Sequence, residues 1–540
     1  MVDLSMNSLS GSIPTDIGTI FAHAVVLKLF SNDLTGNIPS SLGNMSQMIL
    51  LDLSDNNLSG ELPTRLMIDY IGLWILKLSN NNLHGKMFGT NYSHSLPSFV
   101  FLDGNKFTGT LPSNLSNYQR PSILDVHNNQ LSGMIPESIG LVPTLAQLNL
   151  GGNHFQGQIP HHLCNLTVVL LDLSHNSLSG SLPNCFPSSE LMDLTFAGNA
   201  LTGTIPSSYF HNPYLKTLDF NNNQLSGKLP EQMGDKMSLG ILVLSGNSLE
   251  GTIPMELCKL ESLHILDLSQ NNLSGSIPSC FGKMHFKKPN SVDTDSLWQR
   301  GFPNASMIYT DPLTAFDVDL YDTIMVGLNT KGNLYGYATD HLVLMSAIDL
   351  SANKLTGNIP VEIGNLNELI QLNISHDQLT GPIPETFSKL NQIESLDLSY
   401  NRLTGAIPRQ LTQLKFLEVF SVAYNNLSGC TPDFKDQFAA FNVSSYEGNN
   451  GLHGPPLEKT CTTNAPEVEE GKDDDIVDDA IFFAILAVSF VVGFWGCIAL
   501  LLCHHTGRYI RSILDGYVDS LTARFMMAAR KWTCMQRNRK

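Results

Sequence analysis

Four of the six cysteines before residue 480 have a spacing that points to one reaction, the formation of disulfide bonds. Cys164 is separated from Cys185, and Cys258 from Cys280, by just under the length of one internal repeat. Each pair would therefore lie on neighbouring turns, within disulfide reach. We predict both disulfides, which imply an oxidising compartment. Buried free thiols are the alternative.

Asparagines in Asn-X-Ser/Thr sequons offer a second chemistry, N-glycosylation. Several sequons arise from the recurrent wording NNLSG, so their number alone does not establish an extracellular location. The predicted acceptors are Asn44, Asn57, Asn91, Asn114, Asn165, Asn272, Asn304, Asn373, Asn426 and Asn442.

No residue pattern favours catalysis, and we predict that the protein is not an enzyme. Carboxylate pairs such as Asp52 and Asp55 recur in turn after turn, which indicates solvated strand positions rather than acid–base catalysis. The histidines lack partners at metal-ligand spacing, so we predict no metal and no cofactor. The net charge of −18 argues against nucleic acid, because binding phosphates requires a basic surface.

The cysteines, sequons and carboxylates described above are positioned by a repeat. Its consensus is LxxLxLxxNxLxGxIP, as in the stretch from Leu263 to Phe281. Sixteen copies, which follow one another in register except at a single break, predict a leucine-rich-repeat solenoid. Asp377 takes the asparagine's place in one copy. The asparagines are Asn7, Asn32, Asn56, Asn81, Asn105, Asn129, Asn153, Asn176, Asn199, Asn223, Asn247, Asn271, Asn353, Asn401 and Asn425.

Physical chemistry explains why Leu, Asn, Gly and Pro recur at fixed positions of each repeat. The two leucines of LxL point inward, and strands from successive turns pair into a parallel sheet on the concave face. The asparagine amide satisfies backbone groups at the bend, Gly permits a positive φ, and Pro fixes the return path. The predicted fold class is thus an α/β-type repeat solenoid, a leucine-rich-repeat superhelix with one additional transmembrane helix. Asp377 cannot donate when ionised, so we expect a local defect there.

The register of the repeats divides the chain into seven parts. About 12 repeats fill residues 1–281, with the first incomplete, and four more fill residues 341–429. Between them, residues 282–340 form an insertion, here called the island. A cap (430–466), an acidic juxtamembrane strip (467–479), a transmembrane helix (480–503) and a basic cytoplasmic tail (504–540) follow. No signal peptide precedes the first repeat, which favours a fragment or an incomplete gene prediction over a natural, uncapped start.

The island is the strongest break in the repeat period, because it separates the asparagines of two successive repeats, Asn271 and Asn353. Long loops without repeats of their own are usually functional or disordered. Its aromatic residues are of the types enriched in binding hot spots, and a structural loop packed on the concave edge is the alternative. They are Trp298, Phe302, Tyr309, Tyr321, Tyr335 and Tyr337.

The carboxyl-terminal part predicts a membrane protein. Cys430 and Cys461 are the only cysteines of the cap, and we pair them. The segment 480–503 contains no charged side chain and is long enough to span a lipid bilayer of ~30 Å as a helix. The tail after it has eight Lys or Arg and two Asp, which places it in the cytosol and the repeats outside.

Small residues at Ser489, Gly493 and Cys497 fall on one face of the predicted transmembrane helix. A small-xxx-small stripe lets two helices approach closely, so these residues are candidates for pairing with a partner's helix. Ordinary membrane-helix composition is the alternative.

Binding is the activity that the repeats favour, and the concave positions around each asparagine are the natural surface for it. No ligand can be named from them. The candidate ligand-binding residues are Asp103, His127, Gln130, His154, His175 and Asn222 on the repeats, with Trp298 and Tyr335 in the island.

The LDLSxNxLSGxIP wording, the island's end KGNLYGYATDHLVLMSAIDLS, the cap and the acidic strip before one membrane helix resemble plant leucine-rich-repeat receptor-like proteins. The resemblance implies a single-pass type I plasma-membrane receptor without a kinase, which detects an extracellular peptide, elicitor or protein in immunity or development. It also implies an adaptor receptor-like kinase, paired through Ser489, Gly493 and Cys497. A SERK-type co-receptor kinase would join at the repeats of Asn353 to Asn425.

The chain departs from that family in two places. The family's amino-terminal cap and signal peptide are missing, and His453 replaces the cysteine of the family's LCGxPL cap, which leaves Cys430 as the substitute partner of Cys461. Two other functions stay open: an inhibitor-type binder of secreted wall-degrading enzymes, and a truncated receptor without function. The island and the membrane helix argue against the inhibitor.

Overall fold

The structure, a computed structural model, describes residues 1–63, 66, 72–87, 96–115, 121–185, 190–232, 238–284, 324–433, 435–457 and 461. They all belong to one compact unit, Met1–Cys461. Within these ranges, no helix is both long and apolar enough to cross a bilayer. The predicted acidic strip, transmembrane helix and tail lie outside the described residues, and so do Trp298, Asn91 and Asn304.

One parallel sheet of sixteen strands, the main sheet, takes one strand from each repeat in chain order. Across the island, Ile265–Asp267 pairs directly with Ala347–Asp349, so the insertion leaves the sheet unbroken. The strands are Val2–Asp3, Val26–Lys28, Leu50–Asp52, Ile75–Lys77, Phe99–Phe101, Ile123–Asp125, Gln147–Asn149, Leu170–Asp172, Asp193–Thr195, Thr217–Asp219, Ile241–Val243, Ile265–Asp267, Ala347–Asp349, Gln371–Asn373, Ser395–Asp397 and Val419–Ser421.

A second parallel ladder follows the bend in each repeat, and most of its strands contain the xLxG part of the consensus. Gly275 shows why Gly recurs there: its φ is 80°, and a Cβ would come within 2.9 Å of the Thr252 side chain. The strands are Ser10–Ser12, Asp33–Asn37, Asn57–Glu61, Asn82–Lys86, Lys106–Gly109, Gln130–Gly133, His154–Gln158, Ser177–Ser181, Ala200–Gly203, Gln224–Lys228, Ser248–Thr252, Asn272–Gly275, Lys354–Asn358, Gln378–Gly381, Arg402–Gly405, Asn426–Cys430 and Gly451–His453.

Short helices form the outer return of many repeats. Most of the 3-10 helices start directly after the repeat's proline, whose fixed φ sets the direction of the return. The 3-10 helices are Ser40–Asn44, Glu137–Leu141, His161–Asn165, Ser207–Phe210, Met255–Lys259, Ser279–Lys283, Val361–Asn365, Glu385–Lys389, Arg409–Gln413, Asp436–Ala440 and Val443–Ser445. The α-helices Ile17–Ile20 and Thr339–Leu342 are each one turn long.

The core lies between the two ladders and the outer return. Leu266 and Leu268 of one repeat are fully buried, and the equivalent leucines of the other repeats join them in one continuous apolar cluster. Side chains alternate across a strand, so Ile265 and Asp267 point to the opposite face of the main sheet. That outward face is the one available for binding.

The repeat asparagines line up at the bend and satisfy backbone groups there, as the sequence predicts; this row is here called the asparagine ladder. Asn153, 4% exposed, donates its amide hydrogens to the carbonyls of Val126 (3.0 Å), Leu150 (3.1 Å) and Gly151 (3.1 Å). Its own carbonyl accepts from the Leu131 N–H at 2.9 Å. Each rung therefore satisfies backbone groups of its own repeat and of the repeat before it.

The ladder is one rung longer than the sequence analysis predicted. Asn449, one repeat length after Asn425, donates to the carbonyls of Val422 and Tyr446 and accepts from the Leu427 N–H. The cap thus begins as a further turn of the same bend. The preserved spacing was the available signal, although the leucines of the consensus are missing there.

Three disulfides cross-link the unit. Cys164 is bonded to Cys185 and Cys258 to Cys280, each with a Cα–Cα distance of 6.0 Å, on the outer return of neighbouring repeats. Cys430 is bonded to Cys461 in the cap, with a Cα–Cα distance of 5.8 Å. The cross-links lie away from the face of the main sheet that is available for binding.

Candidate functional site

A β-hairpin from the end of the island lies on the outward face of the main sheet. Its strands, Met325–Thr330 and Asn333–Ala338, pair antiparallel from Met325–Ala338 to Thr330–Asn333. The turn is the pair Lys331-Gly332, and both residues have positive φ (51° and 81°), as a two-residue hairpin turn of this twist requires. The helix Thr339–Leu342 follows and leads back into the repeats.

The hairpin is fixed to the sheet by alternate apolar side chains. Val326 and Leu328 are buried while Met325 and Asn329, on either side of them, are exposed, which is the alternation of a strand covered on one face. The buried side chains join one apolar cluster with outward-facing residues of three main-sheet strands. Its members are Leu170, Ile241, Val243, Ile265, Ile324, Val326, Leu328 and Leu342.

Polar contacts hold the far end of the hairpin over the last repeats. The Gln371 side chain donates to the Asn329 carbonyl at 2.6 Å. Lys331 Nζ lies 2.8 Å from Glu394 and 2.6 Å from Glu418, two carboxylates that precede neighbouring main-sheet strands. The hairpin therefore crosses the sheet from the strand of Ile241 to the strand of Val419.

The other side of the hairpin is an open apolar surface. Leu334, Tyr335 and Met325 are 73%, 51% and 58% exposed, and the rings of Tyr335 and Tyr337 meet edge to face at 6.2 Å. Tyr335 is thus the predicted island residue whose placement suits contact with another molecule. Trp298 lies outside the described residues.

The repeat residues predicted to bind a ligand do not form one site. Asp103 and His127 occupy equivalent positions directly after the main-sheet strands, while His175 and Asn222 occupy the bend. The remaining two predicted residues, Gln130 and His154, are exposed on the second ladder beyond the bend. The structure distributes the six over three rows, so their common role stays a prediction.

Two of the predicted residues, Asp103 and His127, do meet, together with Asp125, which was not predicted. Single ligand atoms of Asp103, Asp125 and His127 lie within 4.8 Å of one another, a geometry that could hold a cation. His127 Nδ1 is 2.7 Å from Asp125 Oδ1, and the Asn149 amide lies 3.1 Å from the same ring nitrogen. These contacts explain the arrangement without an ion. A second group, His161 with Cys164 and Cys185, has its sulfurs in a disulfide.

The prediction that the recurrent aspartates are solvated is wrong for most strand positions. Asp52 is 8% exposed and accepts hydrogen bonds from the N–H (3.1 Å) and hydroxyl (2.5 Å) of Ser54. Asp267 and Ser269 repeat the arrangement, so the Asp-Leu-Ser wording is a turn that stabilises the bend. Asp55, at the bend itself, is exposed.

An aromatic stack at the last repeats was not predicted from the sequence. The rings of His376, Tyr400 and Tyr424 stack at 4.2 and 4.4 Å between neighbours, and Tyr424 donates to Glu447 at 3.2 Å. All three occupy the residue before the ladder position, where φ is positive. Comparing that one position across repeats would have found them.

Most described sequon asparagines are exposed, as glycan attachment requires, and glycosylation stays a prediction. Asn373 is the exception, because it lies on a main-sheet strand and its amide nitrogen donates to Asp349 at 3.0 Å. The exposed ones are Asn44, Asn57, Asn114, Asn165, Asn272, Asn426 and Asn442.

Comparison with known proteins gives partial but specific matches. A family profile described as Leucine Rich Repeat matches residues 47–67, 122–141, 144–166, 167–189, 214–235, 238–260, 262–284 and 392–414. Over 174 residues, the chain is 62% identical to Cuscuta receptor 1 of Solanum lycopersicum, covering 31% of this chain and 15% of that protein. Over 80 residues, it is 35% identical to receptor-like protein EIX2 of Solanum lycopersicum, covering 13% and 8%.

Among solved structures, the chain is similar to the plant peptide hormone receptor RGFR1 in complex with RGF2. The TM-score is 0.64 at 27% identity, over 84% of this chain and 62% of that one. The alignments thus span less than two thirds of RGFR1 and less than a sixth of either Solanum lycopersicum protein.

Proposed function

Because this chain carries leucine-rich repeats and is homologous to plant receptor-like proteins, we propose that it is a cell-surface receptor which binds an extracellular ligand and acts without catalysis of its own. The observation that carries the proposal is the hairpin over the main sheet, which presents Leu334 and Tyr335 to solvent beside the open repeats. Exposed apolar patches rimmed by polar residues mark interaction sites.

A peptide or protein is the ligand class that this surface favours. An aromatic side chain such as Tyr335, fixed on a docked hairpin, provides contact area with little loss of side-chain entropy on binding. The likeness to RGFR1, whose solved structure contains the peptide RGF2, supports the same class. The repeats' sheet face and the hairpin's outer surface would share the ligand.

Replacing Tyr335 by alanine should weaken ligand binding by at least tenfold, because the change removes an anchor of the hot-spot type from the surface. The purified full chain would first be screened against a displayed peptide library, and the hits measured by calorimetry on both proteins. Tyr214→Ala is the matched control, since Tyr214 is similarly exposed at 47% but lies on the outer return. Hits that bind Tyr335→Ala and the unaltered chain equally would contradict the proposal.

Signal transfer requires partners under this proposal. We place residues 480–503 in the plasma membrane as a single span with the repeats outside, and the partners are an adaptor leucine-rich-repeat receptor-like kinase and a SERK-type co-receptor kinase. The length of this charge-free segment and the basic tail after it support the membrane placement. The small residues of the span support helix pairing.

Changing Ser489, Gly493 and Cys497 together to leucine should abolish co-purification with the adaptor kinase, because bulky side chains would separate the two helices. Pull-down from membranes after crosslinking measures the association. Ala487→Leu with Val491→Leu adds bulk on the opposite helix face and should leave it unchanged. Equal recovery of the kinase with both sets of changes would reject pairing through this stripe.

A further inference from the structure

Beneath the hairpin, the main sheet has a lateral row of acidic side chains. The register places Asp219, Val243, Asp267 and Asp349 side by side on four consecutive strands. Neighbouring strands are about 4.8 Å apart, so Asp267 and Asp349 are close and Asp219 lies two strands away. All four side chains point to the outward face, where the hairpin lies.

These carboxyls are out of contact with water. Asp219 is fully buried, and Asp267 and Asp349 are each 5% exposed. One oxygen of each accepts from the residue two positions on, but Asp219 Oδ2 has no hydrogen-bond partner within the part of the chain that the structure describes. A buried ionised oxygen without a donor is unfavourable, whereas a protonated one is far less so.

The cover over the row is apolar. Val243, between Asp219 and Asp267, is fully buried in the cluster that contains Val326 and Leu328 of the hairpin. Gly327 lies over the neighbouring bend, where a Cβ would come within 4.0 Å of the Asn221 side chain. This apolar packing keeps water away from the carboxyls, which favours their protonated form.

No cation compensates these acids from the elements packed around them in the described ranges. The hairpin strands contain no Lys or Arg, Lys331 at the turn pairs with Glu394 and Glu418, and the Tyr337 hydroxyl bonds Thr330. Burial lowers the pKa of the nearby His264, which favours its neutral form. Asp172, further along the row, adds a fourth acid.

We propose that the hairpin Met325–Ala338 is a pH-dependent cover, which lies on the main sheet while Asp219, Asp267 and Asp349 are protonated and lifts when they ionise. Lifting exposes the outward face of the main-sheet strands that the hairpin crosses. The device controls access to the sheet whatever the ligand is, so it stands apart from the proposed function.

The pH range follows from the acids. Burial raises the pKa of Asp219 to about 8 and that of Asp349 to about 7, and it also raises the pKa of Asp267. With the hairpin lifted, solvent returns these groups toward the ordinary value of about 4. The covered state therefore binds more protons, and its stability is full below about pH 4 and falls as pH rises from about 4 to about 8.

Hydrogen exchange of the purified full chain tests the proposal, because an isolated two-stranded hairpin is barely stable in water and its amides exchange once it lifts. After correction for intrinsic rates, the amides of Met325–Ala338 should lose at least tenfold protection between pH 5.5 and pH 8.5. The double variant Asp219→Thr with Asp349→Thr should lose less protection at pH 8.5 than the unaltered chain, because only Asp267 of the three acids remains to ionise. Thr195, buried in the same row, shows that the sheet accepts this side chain.

Asp125→Thr is the matched control, since Asp125 lies in the same row, 1% exposed, four strands before Asp219. It should follow the unaltered chain. Unchanged hairpin protection across this pH range, or the same loss in the double variant as in the unaltered chain, would overturn the proposal. The double variant is unsuitable if the backbone amides of the main sheet also lose protection. The single variant Asp219→Asn is then measured instead, and the loss of hairpin protection must occur at a different pH than in the unaltered chain.

Discussion

Replacing Asn153 by alanine is expected to lower the free energy of unfolding by about 3 kcal/mol. The change removes three donated hydrogen bonds and one accepted bond at a site that is 4% exposed. The Leu131 N–H would lose its acceptor inside the protein. Each of the three carbonyls would lose one donor and keep another, from the Asn129 side chain, the Asn176 side chain or the Asn128 N–H. An unpaired buried polar group costs more than an average hydrogen bond contributes.

Urea unfolding of the full chain, followed by circular dichroism, measures the effect. His154→Ala is the control, because His154 is the next residue, is exposed, and changes no ladder bond. Exposed substitutions of that kind usually stay within about 0.5 kcal/mol. If Asn153→Ala were as mild as its neighbour, the ladder would be a consequence of the bend and not a cause of its stability.

The asparagine ladder and the main sheet could be predicted from sequence because every repeat has the same local pattern of residues. The leucine spacing fixes which side chains point inward, and one asparagine per turn fixes the bend, so no distant contact is needed to infer either. Asn449 was missed where that local agreement ends: its turn keeps the repeat spacing but has Ser444 and Tyr446 in place of the two strand leucines. The fold continues there because this turn stacks on the preceding turn, which stabilises it.

The hairpin's position could not be predicted in the same way. Ile324, Val326 and Leu328 alternate as a strand covered on one face would, which the sequence does display. Which surface they cover is set by packing against strands far earlier in the chain, and no repeat rule encodes that contact. The hairpin adds to the burial of Asp219, but Asp52 and Asp125 are 8% and 1% exposed on earlier strands. The packing of neighbouring turns therefore also removes the recurrent aspartates from solvent, which the sequence of a single repeat does not show.

Replacing Asp377 by asparagine should stabilise the protein by about 2 kcal/mol at pH 8. The bend at Asp377 keeps the accepted bond, from the Leu355 N–H at 2.7 Å, and the main sheet continues through Gln371–Asn373. The predicted defect lies in the other oxygen: Oδ2, where other rungs place an amide, is buried without a hydrogen-bond partner in the described residues. An asparagine amide would donate to carbonyls there, as Asn401 does one turn later.

The pH dependence of that gain distinguishes its cause. Burial raises the pKa of Asp377 to about 7, against about 4 in the unfolded chain, so the native carboxyl is penalised increasingly as pH rises from 4 to 7. The variant's advantage in urea midpoint should therefore be smaller at pH 5 than at pH 8. Asp16→Asn, at an exposed position, should show no such change. A gain that is equal at both pH values would mean that the added amide bonds, and not the lost charge, account for the whole effect.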